Sequence, residues 1–230
     1  MEIERNPACP KLNKKAIQLI TQLVFRKDDS VKKVDGIFVY STTVSIDREV
    51  ALIKRLLAKK VANKVFVTGG VLTKEVAIDL RVDFEGKEAD LLLQTLDVKK
   101  FKNIKFFVER KSTNTLENVT ETLKNSEFRK CKSILFIFKS HAAGRGYLTL
   151  KKFLPKIQIY QKTFNTKYIT AKKDIDKNNW YTFKFGRERV WGEFLRIKKY
   201  GSRGDIEYAS VKNLIKEIEK ELGIKNLIKL

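Results

Sequence analysis

The residues with the most capacity for chemistry fall in a few short segments. His141 is the only histidine of the 230 residues, and it stands in Ser140-His141-Ala142-Ala143-Gly144-Arg145. That places one ring able to change charge near neutral pH beside one guanidinium, a pairing suited to proton transfer and to oxyanion binding. A second segment, Glu109-Arg110-Lys111-Ser112-Thr113-Asn114-Thr115-Leu116-Glu117-Asn118, is dense in small polar side chains. Asn114 with Glu117 three places later reads as a helix capping box. That reading leaves Glu109, Ser112, Thr115 and Asn118 over, and a helix N-terminus with open N–H groups suits an anionic or carboxylate-bearing ligand. Two shorter segments complete the set. In Thr68-Gly69-Gly70 the glycines permit positive φ and close main-chain approach. In Ser41-Thr42-Thr43 three hydroxyls follow one another. Glu88 opens a helical stretch, where an acidic side chain favours the positive helix end.

The elements around these segments follow one grammar: a short apolar run, a polar loop, a helical stretch. The runs Ile37–Tyr40, Lys64–Val67, Ile104–Val108, Ile134–Phe138 and Ile157–Tyr160 are rich in Val, Ile and Phe and have the length of strands. Continuous apolar strands alternating with helices predict a parallel sheet covered on both faces and joined by right-handed crossovers, a doubly wound α/β fold of about five strands. Helices are expected at Leu12–Phe25, through Val50–Leu57, at Lys87–Leu96, from Ser112 to about Leu123 and from Arg145 to about Phe153. An irregular stretch is expected after Gly70. The polar loops named above all follow strands, and in an open parallel sheet ligands bind outside the carboxyl ends of the strands. The expected division is an N-terminal tail and helix (1–32), the core (33–164) and a smaller C-terminal extension (165–230). That extension is aromatic-rich over Trp180–Leu195, and its stretch Ile206–Leu222 ends in a charged amphipathic helix.

Composition narrows the function classes. No apolar run approaches the ~20 residues of a membrane helix, so no membrane span is expected. Met1–Leu12 carries charges and two prolines in place of an apolar signal core, so a cytoplasmic location is expected. Cys9 and Cys131 have neither metal-ligand nor redox spacing, and dispersed carboxylates with one histidine make no recognisable metal set. Lys and Arg number 49 against 27 Asp and Glu, a formal charge of +22. Such an excess favours anionic partners, nucleic acid among them. The charge is mostly Lys and is spread among acidic neighbours, as on a solvated surface, and no DNA-binding helix module or aromatic RNA-binding sheet is evident. Neither a dinucleotide fingerprint nor a phosphate-binding P-loop occurs.

Taken in order, the segments resemble the YdcF-like family, a bacterial domain of unknown function that includes YdcF and SanA type proteins. The resemblance runs through Asp35–Tyr40 with Ile46-Asp47-Arg48, then Thr68-Gly69-Gly70, Glu88-Ala89, and Glu109 with Ser112-Thr113-Asn114-Thr115 and Glu117-Asn118. It continues in Ser140–Arg145 and closes with Tyr200-Gly201-Ser202-Arg203-Gly204-Asp205, which is similar to the tail of the YdcF branch. It spans roughly residues 33 to 206. One departure stands at the end of the first strand, where Tyr40-Ser41-Thr42-Thr43 replaces the glycine usual in relatives and is expected to narrow the crevice. The resemblance implies a Rossmann-like fold and binding of S-adenosylmethionine or a nucleotide-like molecule, with no settled reaction.

Three functions are therefore expected in turn. The first is binding of a small polar or anionic ligand by Ser41, Thr42, Thr68, Gly69, Gly70, Ser112, Asn114, Thr115, Asn118 and Arg145. The second is a hydrolase or group-transfer enzyme, with Glu88 or Glu109 as general base, His141 as proton shuttle and Arg145 steadying negative charge. The third is nucleic-acid binding driven by the positive charge, which would weaken steeply with salt.

Overall fold

The structure is a computed structural model and describes residues 3–72, 86–168, 171 and 173–224. Most of the irregular stretch expected after Gly70 lies outside the described residues. The chain divides into two compact units: Lys27–Lys139 with Phe153–Asp174, and Met1–Arg26 with Ser140–Lys152 and Ile175–Leu230.

The first of these is the sheet unit. Its five strands are β1 (Gly36–Tyr40), β2 (Lys64–Thr68), β3 (Lys105–Glu109), β4 (Ser133–Lys139) and β5 (Gln158–Phe164). They lie in the spatial order β3-β2-β1-β4-β5, with every pairing parallel. This is the Rossmann-like, doubly wound α/β arrangement, in which the strand order reverses beside the first strand. β1 and β2 pair Ile37 with Val65 and Tyr40 with Thr68, so Ser41 and Gly69 leave the sheet side by side.

Alternation along the strands supplies two cores. Ile37, Val39, Val65, Val67, Leu135 and Ile137 point to one face and pack with Ile53, Leu56, Leu92 and Leu96. Those four side chains come from the helices α2 (Ile46–Ala58) and α3 (Glu88–Leu96). Phe38, Tyr40, Phe66 and Phe136 point the other way, where Phe128 meets Phe38 and Phe66 at 5.5 and 4.9 Å between ring centres. Each face thus buries its own set, which is why the strands read as continuous apolar runs. The strand bounds differ from expectation mainly in β5, which continues through Lys162 and Thr163 to Phe164. Its polar residues are tolerated because β5 is an edge strand. Next to α3, Val71–Leu72 and Gly86–Lys87 form a two-stranded antiparallel ladder. The helix α4 (Thr115–Thr122) follows β3.

The second unit is helical. It contains α1 (Lys14–Val24), most of α5 (Ala143–Phe153), α6 (Lys184–Arg203) and α7 (Lys212–Glu221). Asn13 caps α1 through Oδ1 to the Ala16 N–H at 2.8 Å. Trp180, fully buried, donates from Nε1 to Thr21 Oγ1 at 2.9 Å. The aromatic-rich stretch expected from Trp180 to Leu195 becomes a short 3-10 turn and then α6, a helix of 20 residues. Its period is masked in the sequence because the buried face carries Arg189, Gly192, Glu193 and Gly201 among the apolar residues. Among the described residues, no helix is long and apolar enough to cross a membrane.

Candidate functional site: a buried carboxylate at the strand ends

The loop after β1 is held by its neighbours on both sides. The Ser41 N–H donates to the Thr68 carbonyl at 3.1 Å, and Thr68 Oγ1 donates to the Val39 carbonyl at 3.0 Å. Thr68 is therefore committed to joining β1 to β2. Thr42 is the hub of the loop. Its N–H donates to Glu49 Oε2 at 3.2 Å, and its Oγ1 accepts from the Val44 N–H at 3.2 Å and from Lys139 Nζ at 3.4 Å. Lys139 ends β4, so the ammonium reaches this loop from the strand next to β1.

Glu49 is the functional candidate that sequence reasoning missed. It lies in the first turn of α2 and is fully buried. Its placement follows from helical spacing: Glu49, Leu52, Ile53 and Leu56 recur on one face, and that face is the one packed on the sheet. A carboxylate on an apolar stripe was the available signal. Burial pushes the Glu49 carboxyl well above the usual carboxylate range; the Thr42 N–H and Lys139 act against this, and Glu88 adds to it. Three buried oxygens in this small region, Ser41 Oγ, Thr43 Oγ1 and Glu49 Oε1, have no hydrogen-bond partner among the described residues.

The Thr-Gly-Gly loop is packed against protein. A Cβ on Gly69, whose φ is +151°, would lie 2.9 Å from Glu88 Cβ and 3.2 Å from Ser41 Cβ. A Cβ on Gly70 would overlap the Ser112 carbonyl oxygen. The Glu88 and Ala89 N–H groups donate to the Gly70 and Gly69 carbonyls at 3.1 and 3.2 Å. The close approach expected of these glycines is thus made by the loop after β3 and by the start of α3.

In the loop after β3, Glu109 is the organiser. Its Oε1 accepts from the Ser112 N–H at 2.9 Å and from the Lys111 N–H, and its Oε2 accepts from Ser112 Oγ at 2.6 Å. Ser112 Oγ also meets the Asn118 side chain. Asn114 caps α4 through Oδ1 to the Glu117 N–H at 3.0 Å. The reciprocal half of the expected box goes one residue further back: Glu117 Oε2 accepts from the Thr113 N–H at 2.7 Å and its hydroxyl at 2.8 Å. Thr115, the first residue of α4, is buried.

His141 and Arg145 lie in the helical unit. His141 is fully buried. Arg145 forms a two-pronged ion pair with the buried Glu193 of α6, Nε to Oε2 at 2.7 Å and a second nitrogen to Oε1 at 3.3 Å. Arg196 reaches the same carboxylate at 3.3 Å. Burial alone would raise the Glu193 carboxyl, but Arg145 and Arg196 outweigh it and hold it below the usual carboxylate range.

The sheet unit therefore brings together Ser41, Thr42, Thr68, Gly69, Gly70 and Glu88 around Glu49, and links Glu109, Ser112 and Asn118 to that group through Gly70. The fold and these loops define a Rossmann-like α/β protein with a polar cluster at the carboxyl ends of its strands. Compared with known proteins, the chain matches no family and no curated sequence.

Proposed function

We propose that the chain binds a small polar or anionic ligand, S-adenosylmethionine or a nucleotide-like molecule, at the carboxyl ends of β1 and β2. One observation carries the reading: Ser41 Oγ, Thr43 Oγ1 and Glu49 Oε1 are buried without partners. A buried polar group left unsatisfied costs about 1–3 kcal/mol, so a ligand that bonds to all three recovers a stabilisation the chain forgoes alone. Lys139, partly exposed beside Thr42, adds a positive charge for an anionic group. The position agrees with the general rule for open parallel sheets, and the motif resemblance to the YdcF-like family supports the same ligand class.

A second reading, hydrolysis or group transfer, is favoured by the place of Glu49: a fully buried carboxyl at the strand ends with one oxygen unpartnered, whose pKa burial raises well above the usual carboxylate range, the direction a proton donor needs. Glu109 is less available to a substrate, because both its oxygens already accept bonds from its own loop.

Thermal-shift and calorimetric titration with S-adenosylmethionine, AMP and ribose 5-phosphate tests the binding reading. A ligand at 100 times its Kd stabilises by about 2.7 kcal/mol. The rise in Tm is expected in the wild type and is expected to shrink in Ser41→Ala and Glu49→Gln. A rise of equal size in both variants places the ligand elsewhere.

A further inference from the structure

We propose that a cavity of about 390 Å³ along the edge strand β3 is a second binding site, one that takes a planar aromatic ring carrying an anionic group, as in a nucleoside monophosphate. The inference goes beyond the strand-end reading, since Ser41, Thr43 and Glu49 do not line this cavity.

The volume lies within the range of small-ligand sites. One wall is aromatic. Phe66 and Phe107 both line it, with rings 4.9 Å apart and inclined by only 14°. Phe66 is buried and Phe107 only half-buried, so the flat surface offered to an occupant belongs to Phe107. Such a surface suits stacking of a base or another flat ring.

The charges at the rim sort into those already used and those available. Arg110 pairs with Asp90 at 2.7 Å and Lys124 with Glu121 at 2.6 Å. Glu109 is engaged by the N–H groups and hydroxyl of its own loop. Lys87 and Lys111 have no carboxylate partner among the described residues, and both line the cavity. They are close in the fold, because Lys87 pairs with Val71 while the Gly70 beside it touches the main chain at Lys111 and Ser112. With both lysines lining it, the cavity carries two ammonium groups that select an anion.

Asn125 lies on the stretch that follows α4. Its Oδ1 accepts from the Glu127 and Phe128 N–H groups at 2.9 and 3.3 Å, which turns its amide N–H2 to other acceptors. An acceptor on the edge of a ring stacked on Phe107 is such a group. The three features select a molecule with three parts: an anion for Lys87 and Lys111, a flat ring for Phe107, and a hydrogen-bond acceptor for Asn125.

The test is calorimetric titration of the full chain with AMP, adenosine and ribose 5-phosphate, in the wild type and in Phe107→Leu, Lys87→Gln, Lys111→Gln and Glu49→Gln. Phe107→Leu keeps the apolar wall and removes the flat ring, and thermal melts confirm that each variant is folded. Phe107→Leu is expected to weaken AMP at least tenfold, about 1.4 kcal/mol. The two lysine variants are expected to weaken AMP and reduce its salt dependence while leaving adenosine unchanged. Absence of AMP binding to the wild type at millimolar concentration overturns the proposal. So does AMP binding that Glu49→Gln weakens and Phe107→Leu does not; that outcome supports the strand-end site instead. Loss in Phe107→Leu with no change in Glu49→Gln supports this cavity and leaves the strand-end reading to its own titrations.

Discussion

The Ser112 carbonyl fills the space that a side chain on Gly70 would need: a Cβ there would overlap the oxygen and lie 2.9 Å from the carbonyl carbon. Both contacts are with main chain, which cannot swing aside as a flexible side chain does. The loops after β2 and β3 are locked together at this point.

Gly70→Ala is therefore expected to destabilise the protein by about 1–3 kcal/mol, the usual cost of overpacking. Gly204→Ala is the control. Gly204 ends α6 at φ +79° with nothing within 4 Å of a Cβ, so only the backbone cost of roughly 1 kcal/mol applies there. Urea unfolding midpoints check the comparison, and equal losses would count against the close packing of Gly70.

Glu49 gives a pH signature. Its folded pKa is raised, so its contribution is fully present below the ordinary glutamate value of about 4.3 and is lost as pH rises toward the folded value. Glu49→Gln removes a group that must ionise in the interior. Relative to wild type, the variant is expected to gain about 1.4 kcal/mol of stability per pH unit between those two pKa values. Unfolding free energies at pH 4.5, 6 and 7.5 measure this, and parallel curves for the two proteins would contradict it.

Glu193 gives the opposite slope. Arg145 and Arg196 hold its pKa below the usual range, so its stabilisation is present above about pH 4.3 and is lost as pH falls toward the folded value. Glu193→Ala leaves two guanidiniums without their shared carboxylate and is expected to cost about 3–5 kcal/mol. Thermal melts between pH 3 and 7 should show the wild type losing stability on acidification, with the variant losing less.

The two cysteines should be slow to react. Burial pushes both the Cys9 and the Cys131 thiols up to about 11. At pH 8 only about one molecule in a thousand then carries the thiolate, the reactive form. Titration with a chromogenic disulfide is expected to be at least 100-fold slower in the native protein than in denaturant; fast labelling of the native protein would show that either thiol is more accessible than its burial implies.

Much of the fold was legible in the sequence. The five apolar runs appear as the five strands, and α1, α3 and α4 fall within a few residues of their expected bounds, because strand and helix periods are local properties of the chain. The loops at the strand ends were legible for the same reason: small polar residues and glycines stand where each run stops. Tertiary structure decided the rest. The partner of a side chain depends on which crossovers bring distant segments together, and no local pattern encodes that. Arg145 meets Glu193 from a helix whose apolar stripe is hidden by glycines and charges. Gly70 must be glycine because of a carbonyl 42 places along the chain. Glu49, one glutamate of a charged helical turn in the sequence, enters the candidate site only because α2 lays that face against β1, where burial raises its carboxyl above the usual carboxylate range and leaves one oxygen without a partner.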